Sequence, residues 1–327
     1  MKTLIYLNGR LVPEEEARIS IWDIGFMYSA VFMEAGRTFR HKIFRLEDHL
    51  ERMDNGMRYA GLKPLVSKAE MAAVVEKTVA ANIHLFPEDD DCWMCWQVTP
   101  GNGFPHPMMK GGVKSEPTVM CYVSPLPYDE YYASYCQGKA AVVPSVRNVP
   151  PSVVDPRGKT RFRLHYFMAK IESQAVDPSA FALLLDTEGY VTEGTGANFF
   201  VAKDGVLYTA TTRNILEGVS RRVVIELAAQ LGIPVVERDL TLFDVYRADE
   251  AFWTTSSYCM LPCPRVNHVQ LGQCPGPLFE KIIGAWSEKA GVDIIEQARR
   301  YHTRPSNIWR EAAPATGGAK QVSSPRS

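Results

Sequence analysis

Hydrophobic and polar positions alternate along this chain with two different periods, and the switches between them mark out its elements. Near the start, LIYLNGRLV places apolar residues on both sides of Asn8-Gly9, the signature of two strands joined by a tight turn. KIFRLEDHLERMDNGMRYAGL begins as a short strand and then repeats Leu46, His49, Leu50 and Met53 at three- and four-residue spacing, which predicts an amphipathic helix. Ser67, followed three residues on by Glu70, opens a second helix as a capping box. DCWMCWQVT and PTVMCYVSPL read as strands flanking PGNGFPHPMMKGG, a long loop without a period of its own, where binding segments tend to lie.

Prolines interrupt the periodicity in SPLPYDEYYASY, so an N-terminal α/β domain over 1–124, a connection over 125–135 and a larger domain over 136–302 are expected. After that boundary, KAAVVPSV reads as a strand and a helix runs from about Leu164 to Gln174. FALLLDTEGYVTEGTGANFFVAKDGVLYTA shows four short strands with turns at Thr187-Glu188-Gly189, Gly194-Thr195-Gly196 and Asp204-Gly205. GVSRRVVIELAAQLG is a helix closed by Gly232. PVVERDL, a short helix, a strand EAFWTTSS and a final helix GPLFEKIIGAWSEKAG follow. The tail, 303–327, has the composition of a disordered segment. The fold class is α/β, in the mixed α+β sense.

Composition narrows the partners. Hydrophobic residues make up 46% of the 327, enough to build real cores. Lys and Arg total 36 against 37 Asp and Glu, interspersed for a net charge of −1, so no broad positive field invites nucleic acid or an anionic membrane. Small molecules are the expected partners. The apolar run that opens MKTLIYLNGRLVPEEE is too short for a signal-peptide core, and no stretch approaches the length of a membrane span. Seven scattered cysteines, an odd number, argue against a disulfide framework and for a reducing cytoplasm. Cys92 and Cys95 form a C-x-x-C, but it reads as part of a buried strand and no second such pair completes a zinc site, so no metal is expected.

The candidate chemistry starts in DPRGKTRFRLHYF, residues 155–167, where Gly-Lys-Thr suggests the end of a phosphate-binding loop. That loop requires a glycine where this chain has Val153, and Pro150, Pro151 and Pro156 each remove a backbone donor. Lys159 is therefore an isolated amine on a rigid approach. Downstream come Glu193 on a hairpin, the glycine-led helix start Gly218-Val219-Ser220, and a Thr/Ser cluster that ends a strand. Together they could hold a phosphorylated aldehyde. A lysine amine forms a Schiff base with an aldehyde, a helix start suits a phosphate, and a carboxylate keeps a pyridine nitrogen protonated. Taken singly, Glu193 reads more readily as a solvated hairpin carboxylate, and the helix start as an ordinary one.

YVTEGTGANFFVAKDGVLYT, then ILEGVSRRVVIELA, then DEAFWTTSSYCMLP resemble the signature blocks of the class IV aminotransferases, and the likeness extends through LNGRLVPEEEARISIWDIGFMYSAVF and FRLEDHLERM to about residue 300. The resemblance implies fold type IV, with a smaller N-terminal α/β domain and a larger C-terminal pseudo-barrel domain. It also implies pyridoxal 5'-phosphate (PLP) as cofactor, an amino donor and a keto acid as partners, and a homodimer. Lys159 falls where the family keeps its Schiff-base lysine, and Glu193 matches the partner of the pyridine nitrogen. Arg52, Val219, Ser220, Thr255 and Ser256 match cofactor-binding positions, chiefly phosphate contacts, while Leu216 matches the side chain packed against the ring.

Tyr28 and Met33 match substrate-pocket positions; Arg37 and His106 could add polar contacts there, and Arg161 and Arg163 could meet a substrate carboxylate. The implied activity is transamination of an amino acid, branched-chain or D, with an apolar side chain favoured, or of an amine. A lyase acting on aminodeoxychorismate is the alternative within the family, and a non-catalytic cofactor-binding protein the alternative outside it. The chain also departs from the family's patterns. Leu164 stands where many members have a tyrosine, Gln97 where branched-chain enzymes place an arginine, and the loop after QVT lacks the Pro-Arg-x-His of D-amino-acid enzymes.

Overall fold

A computed structural model describes residues 3–63, 65–102 and 116–304. At the first turn Asn8 and Gly9 take positive φ values of 46° and 91°, which lets Leu4–Leu7 fold back on Arg10–Pro13. These two strands form the edge of a six-stranded antiparallel sheet that continues with Thr118–Pro125, Cys92–Thr99, Phe32–Phe39 and Lys42–Ile43. Phe32, Met94, Trp96 and Val123 present one face of this sheet to helices Leu46–Tyr59 and Lys68–Asn82. Those helices return Leu50, Met53 and Met57 from the first, and Met71, Val75 and Val79 from the second. The Ser67–Glu70 capping box forms as the spacing predicts. Cys92 and Cys95 are buried free thiols within their strand.

Two five-stranded sheets build the remainder. One runs Val235–Glu237, Val206–Thr209, Asn198–Lys203, Glu250–Thr255, Cys259–Pro262; the other runs Val269–Gln270, Arg265–Val266, Ala141–Val142, Phe181–Leu185, Val191–Gly194. Helices Val219–Gln230 and Pro277–Ala290 contribute Val223, Leu227, Phe279 and Trp286 to a core shared with Phe200, Phe252 and Trp253. The four short strands expected between Phe181 and Thr209 are present in order.

Two stretches differ from their sequence reading. The expected connection, 125–135, is mostly helix, Tyr128–Gln137, because Pro127 sits at its N-cap, where a missing N–H costs nothing, rather than inside it. KAAVVPSV contributes only Ala141–Val142 as strand. The expected tail lies outside the described residues beyond Arg304, and Arg304 itself pairs with Asp90.

The segment around Lys159 joins the two halves of the chain. Met33 N donates to Lys159 O and Arg161 N to Val31 O, each at 3.0 Å, and Thr160 forms an antiparallel bridge with Phe32. It occupies the end of strand Phe32–Phe39 that Lys42–Ile43 leaves uncovered, since that strand pairs only with Thr38 and Phe39.

Candidate active site

Lys159 opens on a cleft also lined by Arg52, Arg163, Glu193, Leu216, Val219, Ser220, Thr255 and Ser256. Residues far apart in sequence thus meet in one place. Lys159 keeps part of its surface open to the cleft, yet the protein packed around it removes most bulk solvent. That desolvation, reinforced by the positive charges of Arg52 and Arg163, pulls its amine down to about 7.

Glu193, on strand Val191–Gly194, is only 4% exposed and is held from three sides. Tyr166 Oη donates to Oε1 at 2.9 Å, Asn198 Nδ2 to Oε2 at 2.9 Å, and Leu216 N reaches both oxygens at 3.2 Å. Burial raises its pKa; the hydrogen bonds from Tyr166 and Leu216 and the charges of Lys159 and Arg163 oppose that rise. The solvated hairpin carboxylate is therefore not what forms. Asn198 Nδ2 also donates to Leu216 O at 3.0 Å, tying the loop before the helix to the carboxylate.

Helix Val219–Gln230 begins at Gly218 with no side-chain cap, so its first N–H groups are not satisfied by a capping side chain. A Cβ on Gly218 would meet Asn198 Oδ1 at 2.0 Å, so the backbone passes where no side chain fits. Ser220 and Ser256 bring their hydroxyls together at 3.5 Å beside this start.

Arg52 lies on helix Leu46–Tyr59, where its guanidinium grips Glu34 with two prongs, Nε to Oε1 at 2.7 Å and Nη2 to Oε2 at 2.6 Å. Its Nη1 donates to Glu217 O at 2.6 Å, immediately before the uncapped helix start. Glu34 is fully buried and also meets His49 Nδ1 at 2.8 Å. Burial by itself would raise the Glu34 carboxyl, but Arg52 and His49 bring it down to about 2.

The substrate-side residues separate. Arg163 lines the cleft, with Nε donating to Thr160 O at 3.1 Å. Arg161 turns to Gln97 Oε1 at 2.9 Å and Cys95 Sγ at 3.6 Å. Tyr28, Met33 and Arg37 lie outside the cleft lining. Tyr28 is exposed at the end of helix Ile24–Tyr28, and Met33 is buried in its strand. Arg37 is buried as a tie between halves, donating to Ser257 O at 3.0 Å and Gln297 Oε1 at 2.8 Å. His106 lies outside the described residues.

Sequence reasoning missed Tyr166, Asn198 and Glu34. Tyr166 sits two positions past the residue where a tyrosine was sought, and helix Leu164–Val176 turns it inward while Leu164 stays 66% exposed. Glu34 carried a legible signal: it follows Phe32 by two residues on a strand and so must share its buried face.

A lysine and a buried carboxylate thus face one cleft beside an uncapped helix start. The family described as amino-transferase class IV matches residues 31–266, and the chain belongs to it. It is 35% identical over 286 residues to a putative branched-chain-amino-acid aminotransferase of Methanocaldococcus jannaschii, covering 85% of this chain and 94% of that one. It is 27% identical to the D-alanine aminotransferase of Bacillus licheniformis over 85% of this chain and 94% of the relative. The crystal structure of the branched-chain aminotransferase of Thermoproteus uzoniensis with norvaline superposes with a TM-score of 0.76 at 28% identity, over 92% and 97% of the two chains. The fold is type IV, and the protein is an enzyme that transfers amino groups.

Proposed function

We propose that this cleft binds pyridoxal 5'-phosphate on Lys159 and that the enzyme moves an amino group between an amino acid with an apolar side chain and a 2-keto acid. One observation carries the reading: Lys159 and the three-fold-held Glu193 open on the same cleft as the uncapped helix start. The donor set fits the group. An amine lowered to about 7 can form a Schiff base with its aldehyde, Gly218, Val219 and Ser220 with Arg52 would hold its phosphate, and Glu193 its ring nitrogen.

Once bound, PLP supplies an electron sink that makes a substrate Cα–H bond breakable. Lys159 Nζ, titrating near neutrality, can take that proton and give it back, as a general base and acid must. Glu193 places a fixed negative charge that needs no reorganisation, because Tyr166, Asn198 and Leu216 already orient it. Leu216 offers an aliphatic wall, and Ser256 and Thr255 add hydroxyls.

The wider organisation belongs to the same proposal: two domains with a boundary near residue 125, a cytoplasmic setting and a homodimer. Leu164, Phe167 and Ile171 are exposed at helical spacing along one helix, and Ile21 and Phe26 are exposed near the N-terminus, apolar surface that a second copy would cover. In such a dimer Tyr28, exposed on the same N-terminal segment, could serve a neighbouring site.

The test is a scan of L- and D-amino-acid donors against pyruvate and 2-oxoglutarate, following visible absorbance and keto-acid release. Apolar donors should react, and Glu193→Gln should slow the first half-reaction by about a hundredfold to a thousandfold while cofactor stays bound, the size of a preorganised electrostatic contribution. The aminodeoxychorismate lyase of Bacillus subtilis, 26% identical over 84% of this chain, marks the rival reading, in which pyruvate leaves without any acceptor.

A further inference from the structure

Arg163 is a guanidinium on the cleft wall that forms no ion pair with a carboxylate among the described residues, although the charge of Glu193 reaches it through the cleft. Among the described residues its one hydrogen bond runs from Nε to Thr160 O at 3.1 Å, and its guanidinium lies 5.8 Å from the centroid of the Tyr166 ring. Both Nη atoms are therefore uncommitted there. The segment 103–115, outside the described residues, contains no Asp or Glu that could pair with it. Arginine stays charged throughout the accessible pH range, so uncommitted Nη donors facing a cleft suit an anionic ligand.

The anions already in the site are spoken for. Glu193 accepts from Tyr166, Asn198 and Leu216, Asp155 on the cleft lining pairs with Arg157, and Glu34 behind Arg52 is committed to Arg52 and His49. Arg161, two residues before it, spends its fork on Gln97 and Cys95. Arg163 follows Lys159 by four residues on the same wall, close enough for its charge to depress the lysine.

We propose that Arg163 binds the α-carboxylate of the amino-acid and keto-acid substrates, the one charged group those substrates share, through its uncommitted Nη atoms. The proposal rests on the aminotransferase reading of the cleft. An arginine fork matches a carboxylate in two parallel hydrogen bonds, which lets one residue serve both half-reactions while the variable side chain lies elsewhere. A second anionic oxygen, the ring hydroxyl of the cofactor, presents similar chemistry, so the experiment has to separate the two.

The experiment compares the holoenzyme with its Arg163→Gln variant, reading calorimetric binding of 4-methylpentanoate, KM for an apolar amino acid and for its keto acid, and the visible spectrum without substrate. The expected result is a loss of about tenfold to a hundredfold in the affinity for 4-methylpentanoate, with both KM values rising by a similar factor. The kcat should change less than KM, and the spectrum should stay as in wild type. Unchanged affinity for the carboxylate overturns the proposal. So does a variant whose spectrum shifts before any substrate is added, because the anion is then the cofactor's own oxygen. A wild-type enzyme that reacts with no amino donor at all sinks the aminotransferase reading instead, while the binding of 4-methylpentanoate still reports on Arg163.

Discussion

Tyr166 and Glu193 meet across 2.9 Å, a phenol donating to a buried carboxylate from a helix that begins five residues after Lys159. The contact replaces solvent at one of the two Glu193 oxygens. It also opposes the desolvation that would otherwise drive this carboxyl further toward neutrality.

Tyr166→Phe should cost about 1 to 3 kcal/mol, the penalty for leaving a buried acceptor short of a partner. The pH dependence has a definite sign. Glu193 is held above its ordinary 4.5, so its contribution to stability is complete below that value and is lost as pH rises through the raised folded-state value. Removing the hydroxyl enlarges that loss. Urea unfolding of the cofactor-free protein at about pH 4 and about pH 7 should show the larger difference from wild type at the higher pH. Equal differences would mean that Tyr166 does not act through Glu193.

Lys159 should capture PLP with the pH profile of a perturbed amine. Burial and the charges of Arg52 and Arg163 place it at about 7, so the uncharged nucleophile is abundant at neutral pH, unlike an ordinary lysine at 10.5. The rate of cofactor uptake by the stripped protein should rise with a midpoint near 7, and borohydride should then fix the cofactor to Lys159. A label mapped to another lysine would remove this assignment.

Arg52 grips Glu34, and a pair of variants can separate that role from the proposed contact with the cofactor phosphate. Arg52→Ala leaves Glu34 as a buried charge without its two-pronged partner, which should destabilise the protein by about 3 to 5 kcal/mol. Glu34 sits near 2, below its ordinary 4.5, so the pair's contribution is present above 4.5 and fades as pH falls toward 2. Combining Arg52→Ala with Glu34→Gln should recover most of the stability, because the stranded charge is gone. Cofactor affinity should remain at least about tenfold lower in both variants if Arg52 also touches the phosphate. Full recovery of affinity in the double variant would leave Arg52 a structural role alone.

What the sequence by itself determined here is local. The Asn8-Gly9 hairpin, the Ser67–Glu70 capping box, the four strands from Phe181 to Thr209 and the Gly218 helix start depend on turn chemistry and periodicity within a few residues, and all formed as read. Lys159 and Glu193 were legible as candidates because their residue types and order match a family pattern. Tertiary structure decided everything that depends on which side chains meet. Arg37 could be read as a pocket residue, but packing set it between Ser257 and Gln297, 220 and 260 residues away. Glu34 and Arg52 pair because a strand and the helix after it press their shared face together. Tyr166 reaches Glu193 because a helix turned it inward and left Leu164 in solvent. Spacing along a chain constrains neighbours on one element; contact between elements is set by how their faces bury one another, and no local period encodes that.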